Sequence, residues 1–168
     1  MIQPRRWLRL TSDFSPKCLN PFPPFPCTWS LLPRIVKRSL RTPALREALH
    51  SYLAEISNRL DCPTLAIGGV EDHVHLLARF GCSITQADWV KELKRVSNAW
   101  VKQQPSTDPR FAWQVGYGVF SVSTSRIEAT PRYIATQEQK HRRLSFRDEF
   151  RVLLRKHRLE WDEAYVWD

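Results

Sequence analysis

The sequence has no apolar run that approaches the roughly 20 residues needed to cross a bilayer. Its four cysteines include no Cys-x-x-Cys pair and form no compact framework, which argues against a disulfide scaffold or a thiolate zinc site. No secretory signal is visible, so we expect reduced thiols and a cytoplasmic protein without a membrane partner. The sequence also contains no internal repeat.

Acidic residues are scarce relative to basic ones. The 168-residue chain has 26 Lys and Arg against 17 Asp and Glu, which gives a formal net charge of +9. This balance favours a polyanionic partner, most commonly nucleic acid, although ribosomal and membrane-surface proteins share it. The length is sufficient for one domain with a hydrophobic core.

The hydrophobic pattern divides the chain near residue 40. Residues 1–40 form a proline-rich, irregular segment, because proline removes backbone donors and restricts its neighbours; only residues 28–32 suggest a short strand. Residues 41–168 have a regular pattern and are predicted to form the functional domain. The predicted helices begin at residues 43, 83, 130 and 145, and the third of them ends near residue 143. The predicted strands are residues 64–70, the His-x-His strand that follows them after a tight turn, and residues 115–123.

With an initial strand added, this order of elements is βαββαβ. The order indicates an α+β fold, a ferredoxin-like split βαβ arrangement in which helices cover one face of an antiparallel sheet. We expect the first strand of this order to be degenerate in this sequence.

The most informative pattern is the pair His73 and His75. Side chains on a strand alternate between its faces, so residues two apart point the same way. Both imidazoles would then leave one face together, as a metal or an oxyanion requires. An isolated pair of this kind is more often simply polar surface.

Partners for this pair occur later in the chain. Tyr133 and Gln137 lie four apart on a predicted helix and so share one face, with His141 one turn further along. A metal held by His73, His75 and the Gln137 amide would polarise a phosphate oxygen. Nitrogen with hard oxygen ligands suits Mg²⁺ or Mn²⁺, and the Tyr133 phenol could attack phosphorus as a nucleophile.

Further motifs accompany these residues. They are Gly69-Val-Glu-Asp-His-Val-His-Leu-Leu, Lys91-Glu-Leu-Lys with Ser97 and Trp100, Trp113-Gln-Val-Gly-Tyr-Gly-Val-Phe-Ser, Tyr133-Ile-Ala-Thr-Gln with His141, Ser145-Phe-Arg-Asp-Glu, and the ending Trp161-Asp-Glu-Ala-Tyr-Val-Trp. With them the chain resembles the single-tyrosine HUH transposases of the smallest insertion sequences, the insertion sequence 200/605 group, including relatives associated with repetitive extragenic palindromes. The resemblance extends from residue 41 to the end of the chain.

This resemblance implies an HUH endonuclease fold in which His73, His75 and Gln137 bind the metal and Tyr133 is the nucleophile. It implies a DNA transposase that joins single-stranded DNA ends carrying hairpins to the protein as a 5′-phosphotyrosine. It also implies a homodimer in which each active site is composite, and a protein associated with the nucleoid when bound to DNA.

Several alternatives remain open at this stage. Tyr117 is a rival phenol, which its glycine neighbours suggest is structural. The basic helix face formed by Lys91, Lys94 and Arg95 is by itself a solvated surface, but the net charge favours phosphate contact. A second group of predicted DNA contacts comprises His141, Arg142 and Arg143. The alternative function is a domesticated or decayed transposase that binds hairpin DNA of repetitive palindromes, with or without nicking it.

The N-terminal segment departs from the family. Relatives begin with a strand of the type His-Leu-Val-Phe-Thr-Thr-Lys-Asn-Arg-Glu, which this sequence lacks. Permitted codons for residues 28–37, displaced by one base, can encode that strand, so we hypothesise that the segment is translated out of frame. The nucleotide sequence of the gene decides this. Pro131, two residues before Tyr133, is a second departure, which a first-turn position would tolerate.

Overall fold

The computed structural model describes residues 26–29, 40–80, 83–105 and 107–167, and for residues 26–29 it gives the backbone pairing alone. The elements, in chain order, are β1 (Pro26–Trp29), α1 (Pro43–Arg59), β2 (Thr64–Gly69), β3 (Val74–Arg79), α2 (Gln86–Lys102), β4 (Phe120–Ser121), a 3₁₀ turn (Thr124–Arg126), α3 (Ala129–Ala135), α4 (Gln137–His141) and α5 (Phe146–Lys156).

The strands form one sheet in the order β2-β3-β1-β4, and every neighbouring pair is antiparallel. This is the order of a ferredoxin-like split βαβ sheet, so the predicted fold class is confirmed. The first strand exists at Pro26–Trp29, slightly ahead of the predicted position, and residues 30–32 lie outside the described residues. It lies between β3 and β4, from Pro26 opposite Arg79 to Trp29 opposite Leu76. The predicted domain division at residue 40 stays a prediction. Strand β1 belongs to the segment before that division.

The main core lies between the sheet and the two long helices α1 and α2. Alternate residues of β3 face this core, and its fully buried members include Val74, Leu76, Ala78, Leu49, Leu53, Trp89 and Leu93. The Trp89 indole donates a 3.1 Å hydrogen bond to Ser57 Oγ, which joins α2 to α1. Because residues on a strand alternate, His75 lies on the opposite face of the sheet from this core.

That opposite face of the sheet is covered by α3, whereas the sequence analysis predicted helices on one face alone. Gly68 of β2 makes this packing close: a Cβ atom at this position would lie 2.9 Å from both the carbonyl oxygen and Cγ2 of Ile134. The absence of a side chain at Gly68 therefore sets the distance between α3 and the sheet. Pro131 lies in the first turn of α3, where its missing N–H costs no helical hydrogen bond.

Three predicted boundaries were wrong. The helix predicted from residue 130 to 143 is divided at Thr136 into α3 and α4, and the Thr136 hydroxyl donates to the carbonyls of Arg132 and Tyr133, a local bond that competes with helical continuation. The second helix begins at Gln86 rather than Ser83, because Thr85 Oγ1 accepts a cap hydrogen bond from the Asp88 amide at 3.1 Å.

The third error concerns the strand predicted at residues 115–123, of which only Phe120–Ser121 pairs in the sheet. Lys94 explains the difference. Its ammonium donates to the carbonyl oxygens of Gln114, Val115 and Gly116 at 2.9, 3.1 and 2.7 Å. These carbonyls are therefore bound to a helix side chain instead of a neighbouring strand.

Candidate active site

The two predicted metal-binding histidines are both completely buried on the sheet face that carries α3. His73 immediately precedes β3 and His75 is its second residue, and their ring centroids are 4.9 Å apart. The Nδ1 atom of His73 lies 2.8 Å from Asp72 Oδ1. A carboxylate in this position accepts a hydrogen bond from the Nδ1–H group, which favours the neutral tautomer with its lone pair on Nε2, the tautomer that binds metals.

Tyr133 and Gln137 lie beside this pair, as the sequence predicted, although they belong to two helices. The Tyr133 ring centroid is 5.9 Å from that of His75. Gln137 is 1 % exposed, and its Nε2 is 3.4 Å from the Tyr133 carbonyl oxygen. The structure therefore brings the four residues together within one chain.

Glu149 of α5, which the sequence analysis quoted in a motif without a role in the site, is the residue that it missed. Its Oε1 accepts hydrogen bonds from the Tyr133 hydroxyl and from Gln137 Nε2, the latter at 3.0 Å. Its Oε2 lies 2.8 Å from His141 Nε2, 3.5 Å from His73 Nε2 and 3.4 Å from His75 Nε2. One buried carboxylate thus contacts three histidines as well as Tyr133 and Gln137.

The position of Glu149 in its helix is the signal that could have revealed it. Helix α5 is amphipathic, and its buried residues are Phe146, Glu149, Phe150 and Leu154. Spacings of three and four residues place this carboxylate in the apolar stripe. A charged group there is rare unless it is paired.

Burial and neighbouring charges shift the pKa values in this cluster. Burial lowers the pKa of His75, whereas for His73 the carboxylates of Asp72 and Glu149 outweigh burial and raise the pKa. The three histidines together hold the pKa of Glu149 far below its usual range despite its burial. Burial and the Glu149 charge raise the pKa of Tyr133, so the phenol is neutral and a hydrogen-bond donor in this arrangement.

The donor atoms of the site fit a divalent metal. His73, His75 and Glu149 each offer one ligand atom, and these atoms lie within 4.8 Å of one another. Gln137 Oε1 and His73 Nε2 are buried and have no hydrogen-bond partner within the part of the chain that the structure describes. Buried polar atoms normally have a partner, and binding to a metal would satisfy both of them.

A lysine ammonium lies next to the Tyr133 ring. Lys140 of α4 places its Nζ 3.2 Å from the centroid of the Tyr133 ring. A positive charge at this position favours negative charge on the phenol oxygen. Beside the site is a cavity of about 410 Å³, whose lining includes Arg46, Asp72, His141, Arg142 and Phe146.

The predicted DNA contacts occupy different environments. Lys91 and Arg95 are exposed on α2, where Arg95 pairs with Glu92, and Arg142 and Arg143 are exposed after α4. The Lys94 ammonium is occupied by its three carbonyl acceptors, and burial lowers the pKa of Lys94 to about 8. His141 lies inside the site, its ring centroid 4.4 Å from that of His73. Contact of these residues with DNA stays a prediction.

Comparison with known proteins assigns the family. The sequence profile of the family described as "Transposase IS200 like" matches residues 31–137, more than half of the chain. The chain belongs to the IS200-like transposase family. The match includes His73, His75, Tyr133 and Gln137, and it ends before His141 and Glu149.

Membership of the IS200-like transposases gives the chain a role in DNA transposition, with DNA as substrate and DNA cleavage as activity. A solved structure from Deinococcus radiodurans R1 with a provisional transposase description is similar to this chain at 24 % identity and a TM-score of 0.45, covering 67 % of this chain and 88 % of the other. No curated protein matches the chain. Among the described residues, no helix has both the length and the apolar character to span a bilayer.

Proposed function

We propose that this IS200-like transposase cuts and rejoins single-stranded DNA through a covalent 5′-phosphotyrosine on Tyr133, at a divalent-metal site formed by His73, His75 and Gln137. The observation that supports this most directly is the position of Tyr133 in the same chain, with its ring 5.9 Å from the buried His75 ring, which itself lies 4.9 Å from the buried His73 ring. A packed aromatic without this role would not need imidazoles and a carboxamide around it.

The residues have distinct tasks in the proposed reaction. Bound Mg²⁺ or Mn²⁺ would polarise the scissile phosphate and offset its developing charge. Tyr133 Oη forms a bond to phosphorus, the bond from phosphorus to the 3′-oxygen breaks, and the phenol proton ends on that 3′-oxygen. Asp72 fixes the His73 ring, and Lys140 stabilises negative charge on the phenol oxygen. The phosphotyrosine retains the energy of the broken bond, so a free 3′-hydroxyl can reverse the step.

The proposed substrate is a single strand with hairpin ends, and the basic side chains Lys91, Arg95, Arg142 and Arg143 are candidates for contact with its phosphates. The proposed homodimer is a separate matter from the chemistry. Tyr133 reaches the histidines of its own chain, so a site of this geometry can form without a residue from a partner.

A strand-labelling experiment tests this function. Hairpin-flanked single strands labelled at the 3′ end or at the 5′ end are incubated with the protein and Mn²⁺ and then analysed on a denaturing gel. A 5′-phosphotyrosine retains the 3′ label on the protein and releases the 5′-labelled fragment. Tyr133→Phe must abolish the adduct, whereas Tyr117→Phe, which removes a partly exposed phenol elsewhere, must retain it.

The alternative function is hairpin-DNA binding without cleavage. The arrangement in which Tyr133 donates to Glu149, with a raised pKa, favours this reading because a neutral, hydrogen-bonded phenol is a weak nucleophile. Tight binding of the hairpin strand without any adduct, in protein that binds Mn²⁺, would support the alternative and reject the proposed cleavage.

A further inference from the structure

The geometry points to Glu149 as a direct ligand of the divalent metal, through its Oε2 atom and beside His73 and His75. The inference rests on the proposed function because it concerns the metal of the same site. Glu149 lies twelve positions beyond the end of the family match at residue 137, so the match assigns it no role.

The distances between the donor atoms fit binding to a single ion. Glu149 Oε2 lies 3.5 Å from His73 Nε2 and 3.4 Å from His75 Nε2. With metal–ligand bonds of about 2.0–2.2 Å, neighbouring donors are about 3.0 Å apart in an octahedron and about 3.4 Å apart in a tetrahedron. Glu149 Oε2 therefore already has the spacing of a neighbouring ligand to each of the two imidazole nitrogens.

The other contacts of the Glu149 carboxylate leave one lone-pair site available for a metal. Oε1 accepts from Tyr133 and Gln137, and Oε2 contacts His141 Nε2. An ionised carboxylate has about four lone-pair sites, so Oε2 retains one toward His73 and His75. With the Nδ1 hydrogen of His73 donated to Asp72, an ion between His73 Nε2 and Glu149 Oε2 would contact both of these atoms.

Structural stability alone does not explain a carboxylate at this position. Glu149 is 3 % exposed and lies in the apolar stripe of α5, where its neighbours Phe146 and Phe150 pack in a second hydrophobic cluster. Burial of a charged group is costly, and an apolar residue of similar volume is often equally or more stable in such places. A ligand role accounts for both the charge and the burial.

As a ligand, Glu149 would also connect the metal to the nucleophile. Its Oε2 atom would bind the ion while its Oε1 atom accepts the Tyr133 hydroxyl hydrogen bond. The Tyr133 oxygen would then be held one carboxylate away from the metal, which places the phenol relative to a phosphate bound to that metal.

Titration with Mn²⁺, followed by the electron paramagnetic resonance signal of the free ion, tests this assignment on the full chain without any DNA. We expect Glu149→Gln to weaken Mn²⁺ binding by roughly tenfold or more. Glu138→Gln is the matched control, because Glu138 is exposed on the adjacent helix α4 and loses the same charge; its affinity should stay within about twofold. Equal affinity of Glu149→Gln and the unsubstituted protein would overturn the inference.

A second variant decides the matter if Glu149→Gln fails to fold. Glu149→Cys replaces the carboxylate by a smaller thiol, and a thiolate prefers soft metals. Addition of Cd²⁺ should produce a thiolate-to-metal charge-transfer band in the ultraviolet that exceeds the background of the native cysteines, measured on the unsubstituted protein. No additional band in the folded variant would place residue 149 outside the ligand set.

The outcome is independent of the cleavage reaction. If the unsubstituted protein forms the Tyr133 adduct but Glu149→Gln binds Mn²⁺ normally, the proposed function stands and the ligand assignment fails. If Mn²⁺ binding depends on Glu149 but no adduct forms with any hairpin strand, the ligand assignment stands and the proposed cleavage fails.

Discussion

At the scale of single residues, the orientation of His73 depends on Asp72. The 2.8 Å contact between Asp72 Oδ1 and His73 Nδ1 selects the tautomer and fixes the ring. Removal of such an outer carboxylate typically lowers metal affinity without removing a ligand. The adjacent aspartate is therefore a sensitive probe of whether His73 binds metal at all.

We predict that Asp72→Asn weakens Mn²⁺ binding by roughly tenfold to a hundredfold, because an amide oxygen accepts the hydrogen bond from His73 Nδ1–H less strongly than a carboxylate does. Titration calorimetry measures the affinity. Asp61→Asn is the matched control: Asp61 is exposed in the turn after α1, with a φ of 59° that Asn also tolerates. Unchanged affinity in Asp72→Asn would show that His73 is not held by this contact.

A second residue-scale prediction concerns His50 of α1 and the pH dependence of stability. Burial, together with Arg46, lowers the pKa of His50 from 6.5 to about 4. Between these values the unfolded chain binds a proton that the folded chain excludes, so the free energy of unfolding falls as pH falls from 6.5 toward 4. Below about pH 4 His50 is protonated in both the folded and the unfolded chain, so it causes no further loss of stability.

We expect His50→Gln to reduce this dependence by about 2 kcal/mol between about pH 7.5 and about pH 5, since glutamine does not titrate there. Urea unfolding of both proteins at the two pH values measures the difference, and the His50→Gln variant supplies the contribution of the other histidines. An identical pH dependence in both proteins would show that folding does not lower the pKa of His50.

At the scale of elements, the packing of α3 on β2 positions Tyr133. Because Gly68 has no side chain, the Ile134 carbonyl oxygen can lie only 2.9 Å from the point that a Cβ atom of residue 68 would occupy. Real Cβ atoms are almost never so close to another heavy atom. Any side chain at this position must therefore move α3, with Tyr133 one residue before Ile134, away from the histidines.

We predict that Gly68→Ala lowers the rate of Tyr133 adduct formation by roughly tenfold or more, because displacement of about 1 Å at a reacting group is costly. Mn²⁺ binding through His73 and His75 on β3 should change much less. Single-turnover kinetics at saturating Mn²⁺ separates the two effects. Equal losses of metal affinity and rate would indicate general disruption of the sheet instead.

The elements also show which features the sequence could predict. Strand β3 and helix α1 depend on local periodicity, and they were predicted correctly. Tyr133 and Gln137 lie side by side, but on two helices and not on the single helix that was predicted. The short β4 and the division of the helix at Thr136 depend on hydrogen bonds from Lys94 and Thr136, which periodicity does not contain. Glu149 joins the site only through tertiary packing of α5, so its role required the structure.

At the scale of the whole molecule, the sheet depends on a strand from the proline-rich segment. β1 lies between β3 and β4 and is hydrogen-bonded to both. Without it, backbone groups on β3 next to the histidines and on β4 would lose their partners. The segment in which the sequence predicts least regular structure therefore supplies a central strand.

We predict that removal of residues 1–25 preserves cooperative thermal unfolding, since every strand of the sheet remains, whereas removal of residues 1–30 abolishes it. Circular dichroism during heating distinguishes the two proteins. If both truncated chains unfold with the same cooperative transition, β1 contributes nothing to the stability of the sheet.

The alternation of β3 has one more consequence. The same strand points Val74, Leu76 and Ala78 into the α1–α2 core and His75 toward Tyr133. The alternation of its side chains therefore decides both which residues fill the core and which residue faces Tyr133. Insertion of one residue in the short connection between Gly69 and His73 would exchange the two sides, placing imidazole among hydrocarbon and leucine beside the phenol. Changes of length at this connection should therefore be far more damaging than substitutions within it.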